Sequence, residues 1–244
     1  MLIQQTITKL QNLHLIGMAK GFDDQLSSVA AMSLSFEERF GILIDQETTY
    51  RENQRLKRLL KTAKLKFNSC VEDIDYQHNR GLDKSQMASL VTCQWIEKGV
   101  NLIMTGLTGS GKTWLACAFG NQACRQGKTV LFQRLPLLLE ELQISHADGS
   151  FRKRLAQLAK CDLLILDDFG MAALTIQGRS DLLEVIDSRV GGRSTIVTSQ
   201  IPVENWYGYL SGGNPTVADA ILDRIISGSL RIPLQGESMR KLRK

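Results

Sequence analysis

The spacing of apolar positions changes character near residue 82. From Gln4 to about Lys66 apolar residues recur at helical intervals among polar ones, which predicts helices. Ser35 and Glu38 stand at capping-box spacing for one running from Phe36 to Leu65, with Gly41 as its interior weak point. On that helix Leu56, Leu59, Leu60 and Ala63 fall within an arc of about 100°, and Arg51, Arg55, Lys57, Arg58, Lys61 and Lys64 occupy the rest. Between Phe67 and Gly81 the periodicity breaks, giving a linker over 67–82. Asp83 and Gln86 could then box a helix that ends with Gly99 at its C′ position. Beyond it, short apolar runs alternate with helical stretches. The predicted order is strand Val100–Thr105, helix Trp114–Gln126, strand Thr129–Gln133, a helix opened by Pro136, strand Leu163–Leu166, a helix around Ser180–Arg189, and strand Ser194–Ser199. Such alternation implies an α/β fold, a doubly wound parallel sheet sandwiched by helices over 83–244, preceded by a small helical domain over 1–66.

The loop between the first strand and its helix carries the most specific chemistry. Gly106-Leu107-Thr108-Gly109-Ser110-Gly111-Lys112-Thr113 fits G-x-x-x-x-G-K-[ST] in a strand–loop–helix setting, the P-loop arrangement. Its glycines let backbone N–H groups wrap a phosphate, and the helix start near Lys112 adds its positive dipole end. Lys112 supplies a mobile charge between β- and γ-phosphates, Thr113 offers a hydroxyl to Mg²⁺, and Trp114 lies beside the nucleotide by sequence adjacency.

Four apolar residues, Leu163 to Leu166, run into Asp167-Asp168 and read as a Walker B strand. Asp167 at the strand end can hold Mg²⁺ through water, and Asp168 can orient or deprotonate the attacking water. The strand Ser194–Ser199 leads into Gln200; if it inserts between the two phosphate-side strands, Gln200 or Thr198 could position that water, and the alternative is an ordinary strand-end turn before Pro202.

Composition narrows the setting. A hydrophobic content of 43% supports a real core, and no apolar run approaches the eighteen or so residues of a membrane helix, so a cytoplasmic protein is expected. The five cysteines lack C-x-x-C spacing and read as buried thiols, and three scattered histidines give no transition-metal pattern. The net charge of +5 is mild but uneven: seven Lys/Arg lie between Arg51 and Lys66, and four of the last five residues are basic. That clustering points to a polyanion partner; a solvated surface helix is the other reading of the cationic face.

In order along the chain, Ser35-Phe36-Glu37-Glu38-Arg39, the basic helix, Val71-Glu72-Asp73-Ile74-Asp75, the P-loop, Leu163 to Gly170, Thr198-Ser199-Gln200, Ala220-Ile221-Leu222-Asp223-Arg224 and Gly236-Glu237-Ser238-Met239-Arg240 follow one family pattern. The chain resembles the IstB family of transposition helper proteins, which belong to the AAA+ ATPases and are close to the DnaC helicase loaders. The resemblance implies an ATPase using ATP and Mg²⁺ that forms ATP-dependent homo-oligomers, binds and deforms double-stranded target DNA, and recruits or stimulates a partner transposase. It sets Gln200 at the sensor 1 position, Arg224 where an arginine finger enters a neighbour's site, and Arg240 at sensor 2. Many AAA+ proteins carry Glu where this chain has Asp168, a methylene shorter, which implies slow hydrolysis or a nucleotide-switched scaffold. Without the resemblance, Arg224 reads as a surface salt-bridge residue beside Asp223 and Asp219. A replicative helicase loader shares nearly every motif, and a P-loop kinase for a small metabolite is the rival from another class.

Overall fold

The computed structural model describes residues 2–78, 80–212, 214–236 and 238–239. The chain forms two units, residues 1–58 and residues 59–244. Within the first lie α1 (Leu2–Asn12), α2 (Ile16–Ser27), α3 (Val29–Met32) and most of α4 (Phe36–Ala63). The capping box forms as expected: the Ser35 N–H donates to Glu38 Oε2 at 2.8 Å and the Glu38 N–H to Ser35 Oγ at 3.3 Å. Gly17 and Gly21, one turn apart on α2, allow the close crossing with α4, since a Cβ on Gly17 would sit 2.6 Å from the Gln46 carbonyl. Buried Glu47 fastens the crossing by accepting from the Met18 N–H at 3.1 Å and from Arg51 Nε at 2.6 Å. The Arg51 and Met18 bonds hold the Glu47 carboxyl below its usual range against the opposing effect of burial. The long helix stops at Ala63, short of Leu65, because Lys64 turns left-handed at φ 52°.

The second unit adds α5 (Lys84–Val91), α6 (Gln94–Glu97), β1 (Leu102–Gly106), α7 (Lys112–Arg125), β2 (Val130–Arg134), α8 (Leu135–Ala147), α9 (Phe151–Lys160), β3 (Leu163–Phe169), α10 (Ile176–Asp187), β4 (Ser194–Ser199), α11 (Trp206–Leu210), α12 (Pro215–Ile226) and β5 (Leu230–Leu234). Among the described residues five strands form one parallel sheet in the order β2-β3-β4-β1-β5, so β4 inserts between β1 and β3. Helices pack on the sheet, giving the α/β P-loop architecture the alternation predicted. The core is centred on β3 and β4: Leu164, Leu166, Phe169 and Val197 pack with Trp206, Leu182 and Ile221 in one cluster.

Three local expectations are corrected. The helix expected to run unbroken from Asp83 to Gly99 is two pieces, parted by Cys93 at φ 56°. Asp83 does cap α5 through the Ser85 N–H at 2.7 Å, but Gln86 donates to the Arg231 carbonyl at 3.1 Å and closes no box. The stretch 67–82, expected to be a linker, belongs to the second unit and is packed, with Ser69, Val71, Ile74 and Arg80 buried. It is held because Ser69 Oγ donates to the Trp114 carbonyl at 3.0 Å and the Gln235 N–H to the Arg80 carbonyl at 3.0 Å.

Candidate functional site

Parallel strands put their carboxyl ends along one edge of the sheet, and the chemistry gathers there. The P-loop leaves the end of β1 with Gly106, Gly109 and Gly111 at φ 148°, 83° and 96°. These are conformations that side-chain-bearing residues avoid, so the wrap depends on glycine here. A Cβ on Gly106 would also strike the Leu234 carbonyl of β5. Lys112, the first residue of α7, is buried, and its Nζ donates to the carbonyls of Gly106 at 2.7 Å and Leu107 at 2.8 Å. Leu107 itself points outward, 72% exposed. Thr108 Oγ1 donates to Gln200 Oε1 at 2.6 Å, which ties the loop to the end of β4.

Across the strand gap, Asp167 is fully buried. Its Oδ1 accepts from Thr113 at 2.8 Å and from Thr198 at 2.6 Å, while its Oδ2 has no hydrogen-bond partner. A buried carboxylate oxygen without a partner, next to the Thr113 hydroxyl, fits a divalent cation. Among the described residues five buried side-chain polar atoms lack a partner, and three of them are Ser110 Oγ of the P-loop, Asp167 Oδ2 of the carboxylate bonded to Thr113, and Arg80 Nε of the side chain against Gly111. Such a concentration is expected where an absent polar ligand completes the bonding.

Asp168 follows on a β-bulge. The register passes from Leu166↔Val197 to Phe169↔Ser199, so β3 has one residue too many, and Asp168 takes φ 63°. Short polar Asp tolerates that left-handed backbone better than Glu, which gives a physical reason for Asp at this position. The Asp168 N–H donates to Thr198 Oγ1 at 3.3 Å, and its Oδ2 accepts from Arg134 Nε at 2.8 Å. Thr198 therefore bridges both aspartates. Arg134, at the end of β2, was not singled out from sequence.

Beside the loop lies a cavity of about 220 Å³. It is lined by Gly109, Gly111, Lys112 and Thr113 of the loop and helix start, by Phe67, Asp73, Asp75 and Arg80, and by Trp114 and Met239. The Met239 N–H donates to the Gly109 carbonyl at 2.9 Å. Phe67, Asp73, Asp75 and Arg80 come from the stretch expected to be a linker, whose breaks in periodicity gave no sign of a binding role.

The remaining candidates lie elsewhere. Arg224 sits near the end of α12, where its carbonyl accepts from Asn101 Nδ2 at 2.9 Å, just ahead of β1. That places it at the amino-terminal edge of the sheet, opposite the P-loop. β1 is five residues long, and at about 3.3 Å per residue the two edges are roughly 15 Å apart. The guanidinium pairs with Asp187 at 2.6 Å and not with Asp223, whose carboxylate accepts from Ser227. Arg240 lies outside the described residues. On α4 the side chains of Arg55, Lys57, Arg58 and Lys61 are exposed, Leu56, Leu59 and Leu60 are half-buried and Ala63 is buried; exposed Lys64 follows the helix end, and Arg51 is engaged by Glu47.

The family described as IstB-like ATP binding protein matches residues 8–244. A protein named for ATP binding in insertion sequence IS1162 of Pseudomonas fluorescens is 54% identical over 203 residues, 83% of this chain and 88% of that protein. An insertion-sequence ATP-binding protein of Sinorhizobium fredii, y4pL, is 43% identical over 99% of this chain and 98% of its own length. Among solved structures, DnaI superposes with a TM-score of 0.58 at 22% identity, covering 70% of this chain and 90% of that one. The DnaC helicase loader gives 0.56 at 22% identity, covering 71% and 100%. At that identity the two structures speak for the shared fold.

Proposed function

The chain belongs to the IstB-like ATP-binding family, and on that premise we propose that it binds Mg²⁺–ATP at the P-loop edge, hydrolyses it slowly, assembles through ATP on double-stranded DNA and there engages a transposase. The observation that carries the nucleotide part is the Asp167 carboxylate, with Oδ1 held by Thr113 and Thr198 and buried Oδ2 without a partner. Thr113 and Asp167 would hold Mg²⁺, whose role when bound is to neutralise charge on the β- and γ-phosphates. Lys112 would exchange two loop carbonyls for phosphate oxygens, a stronger charge-assisted bond for the same ammonium. Asp168, once it leaves Arg134, accepts the proton of the attacking water, and Gln200 at the end of β4 is within reach of the same edge through Thr108.

Arg224 cannot serve its own subunit's nucleotide from the opposite sheet edge. A neighbouring copy stacked edge to edge would bring it to the phosphates, which supports its action in trans as an always-charged, forked donor. The exposed cations of α4 suit a DNA backbone, and the insertion-sequence relatives favour a transposition helper over a helicase loader, whose likeness is in fold alone. Membership in this family sets aside the small-metabolite kinase.

Mixing decides the trans arrangement. Arg224→Ala and Lys112→Ala subunits should each be nearly inactive, since a transition-state arginine is worth on the order of a thousandfold in rate. Mixed oligomers contain interfaces joining an intact P-loop to an intact Arg224, so activity should partly return. Co-oligomers that form and stay inactive at every ratio would return Arg224 to a structural pair with Asp187.

A further inference from the structure

Arg80 is the one cation of the 67–82 stretch that reaches the P-loop cavity. It is buried, 5% exposed, although arginine is rarely buried unless paired. Among the described residues no carboxylate is in ion-pair contact with it. The nearest candidate, Asp75, gives its side chain to the Gln77 N–H at 2.7 Å and to His78 at 2.5 Å, and only its backbone carbonyl accepts from Arg80 Nη2, at 2.6 Å. Arg80 Nε has no partner. Nη1 stands 3.0 Å from the place a Cβ on Gly111 would occupy, against the turn that delivers Lys112. The backbone bond from Gln235 and left-handed Gly81, φ 72°, close against Pro233, hold the residue in this position.

A buried guanidinium with an orphaned donor is costly to the free protein, since the charge of nearby Asp75 offsets its desolvation only in part and without an ion pair. Burial draws its pKa down, yet a guanidinium stays protonated at any pH the protein meets. Its orphaned Nε can therefore take an anion that enters the cavity. We propose that Arg80 is a second phosphate-binding cation of the nucleotide site, donating to the phosphate chain from beside Gly111. This rests on the reading of the P-loop as the nucleotide site. It makes the 67–82 stretch part of the ligand cage and not a tether. The charge is well placed for the β-phosphate region, which ADP and ATP share, because Gly111 and the first turn of α7 are the nearest loop elements.

The test separates ligand binding from structural support. Arg80→Gln and Arg80→Lys are compared with wild type for ADP and ATP affinity by calorimetry and for thermal midpoint without nucleotide. The expected result is a loss of roughly tenfold to a hundredfold for Arg80→Gln, equal for the two nucleotides, with partial recovery in Arg80→Lys. The nucleotide-free midpoint of Arg80→Gln should stay the same or rise, because a buried charge that Asp75 offsets only in part has gone. Unchanged affinity would overturn the proposal, as would a loss confined to ATP. A fall of several degrees in the nucleotide-free midpoint, with no recovery by Lys, would make Arg80 a structural clamp. Lys112→Ala serves as the control: if it binds nucleotide like wild type, the P-loop reading fails and Arg80 falls with it; if it alone loses binding, only the Arg80 assignment is lost.

Discussion

Replacing Arg134 with Met should raise the rate of ATP hydrolysis while leaving ATP affinity nearly intact. The Arg134–Asp168 contact is 2.8 Å, with the arginine side chain 40% and the aspartate 18% exposed. Unit charges about 4 Å apart attract by about 4 kcal/mol at an effective dielectric near 20. Solvent reaching the arginine screens this to about 1–2 kcal/mol, above what fully exposed pairs give because the Asp168 side chain is mostly buried. Asp168 must leave that contact to take up the attacking water. The pair therefore lowers the population of available carboxylate by roughly five- to thirtyfold, and its removal should raise single-turnover hydrolysis by a factor in that range. Met keeps most of the stem packing beside β2, and Arg134 is not among the residues lining the cavity, so affinity should shift by no more than about twofold. Single-turnover hydrolysis at saturating ATP, paired with equilibrium nucleotide titration, reads both quantities. A slower reaction at unchanged affinity would refute the reasoning, because Arg134 would then be stabilising transition-state charge and not restraining Asp168.

Lys112→Ala should abolish measurable ATP binding by calorimetry, and wild-type affinity in that variant would contradict the P-loop assignment. Asp168→Asn should bind ATP normally and turn it over poorly, since Asn tolerates the same left-handed backbone but cannot accept the proton; normal turnover would remove Asp168 from the chemistry. DNA binding should be salt-sensitive and largely independent of sequence. An Arg55/Arg58/Lys61 triple alanine should flatten the log K against log salt slope by about 3, near one unit per lost phosphate contact, and an unchanged slope would make the face a solvated surface.

The sequence revealed what is local and hid what depends on adjacency. The P-loop, the Asp167-Asp168 strand end and the capping box at Ser35 each lie within one short segment, and periodicity plus spacing reached them directly. The edge strand β5 escaped notice because Leu-Arg-Ile-Pro-Leu carries Pro233, a residue that argues against a strand except at an edge. Helix α9 hid behind its basic residues, for it buries only Leu158 fully. No residue type announced the bulge at Asp168 or the left-handed break at Cys93.

The less legible part of the site follows one rule: each missed residue acts on a partner brought close by strand order or by a packed loop. Arg134 meets Asp168 only because β2 and β3 are neighbours, and Arg80 meets Gly111 only because the 67–82 stretch folds back onto α7. Sequence spacing carries neither fact. The same rule explains why Arg224 could be assigned only by resemblance. Its own partners, Asp187 and Asn101, sit at the amino-terminal edge of the sheet, while the phosphates it would serve belong at the carboxyl edge. A residue whose proposed work lies across the sheet from its position needs a second copy, and the mixed-oligomer experiment measures whether a neighbouring subunit supplies it.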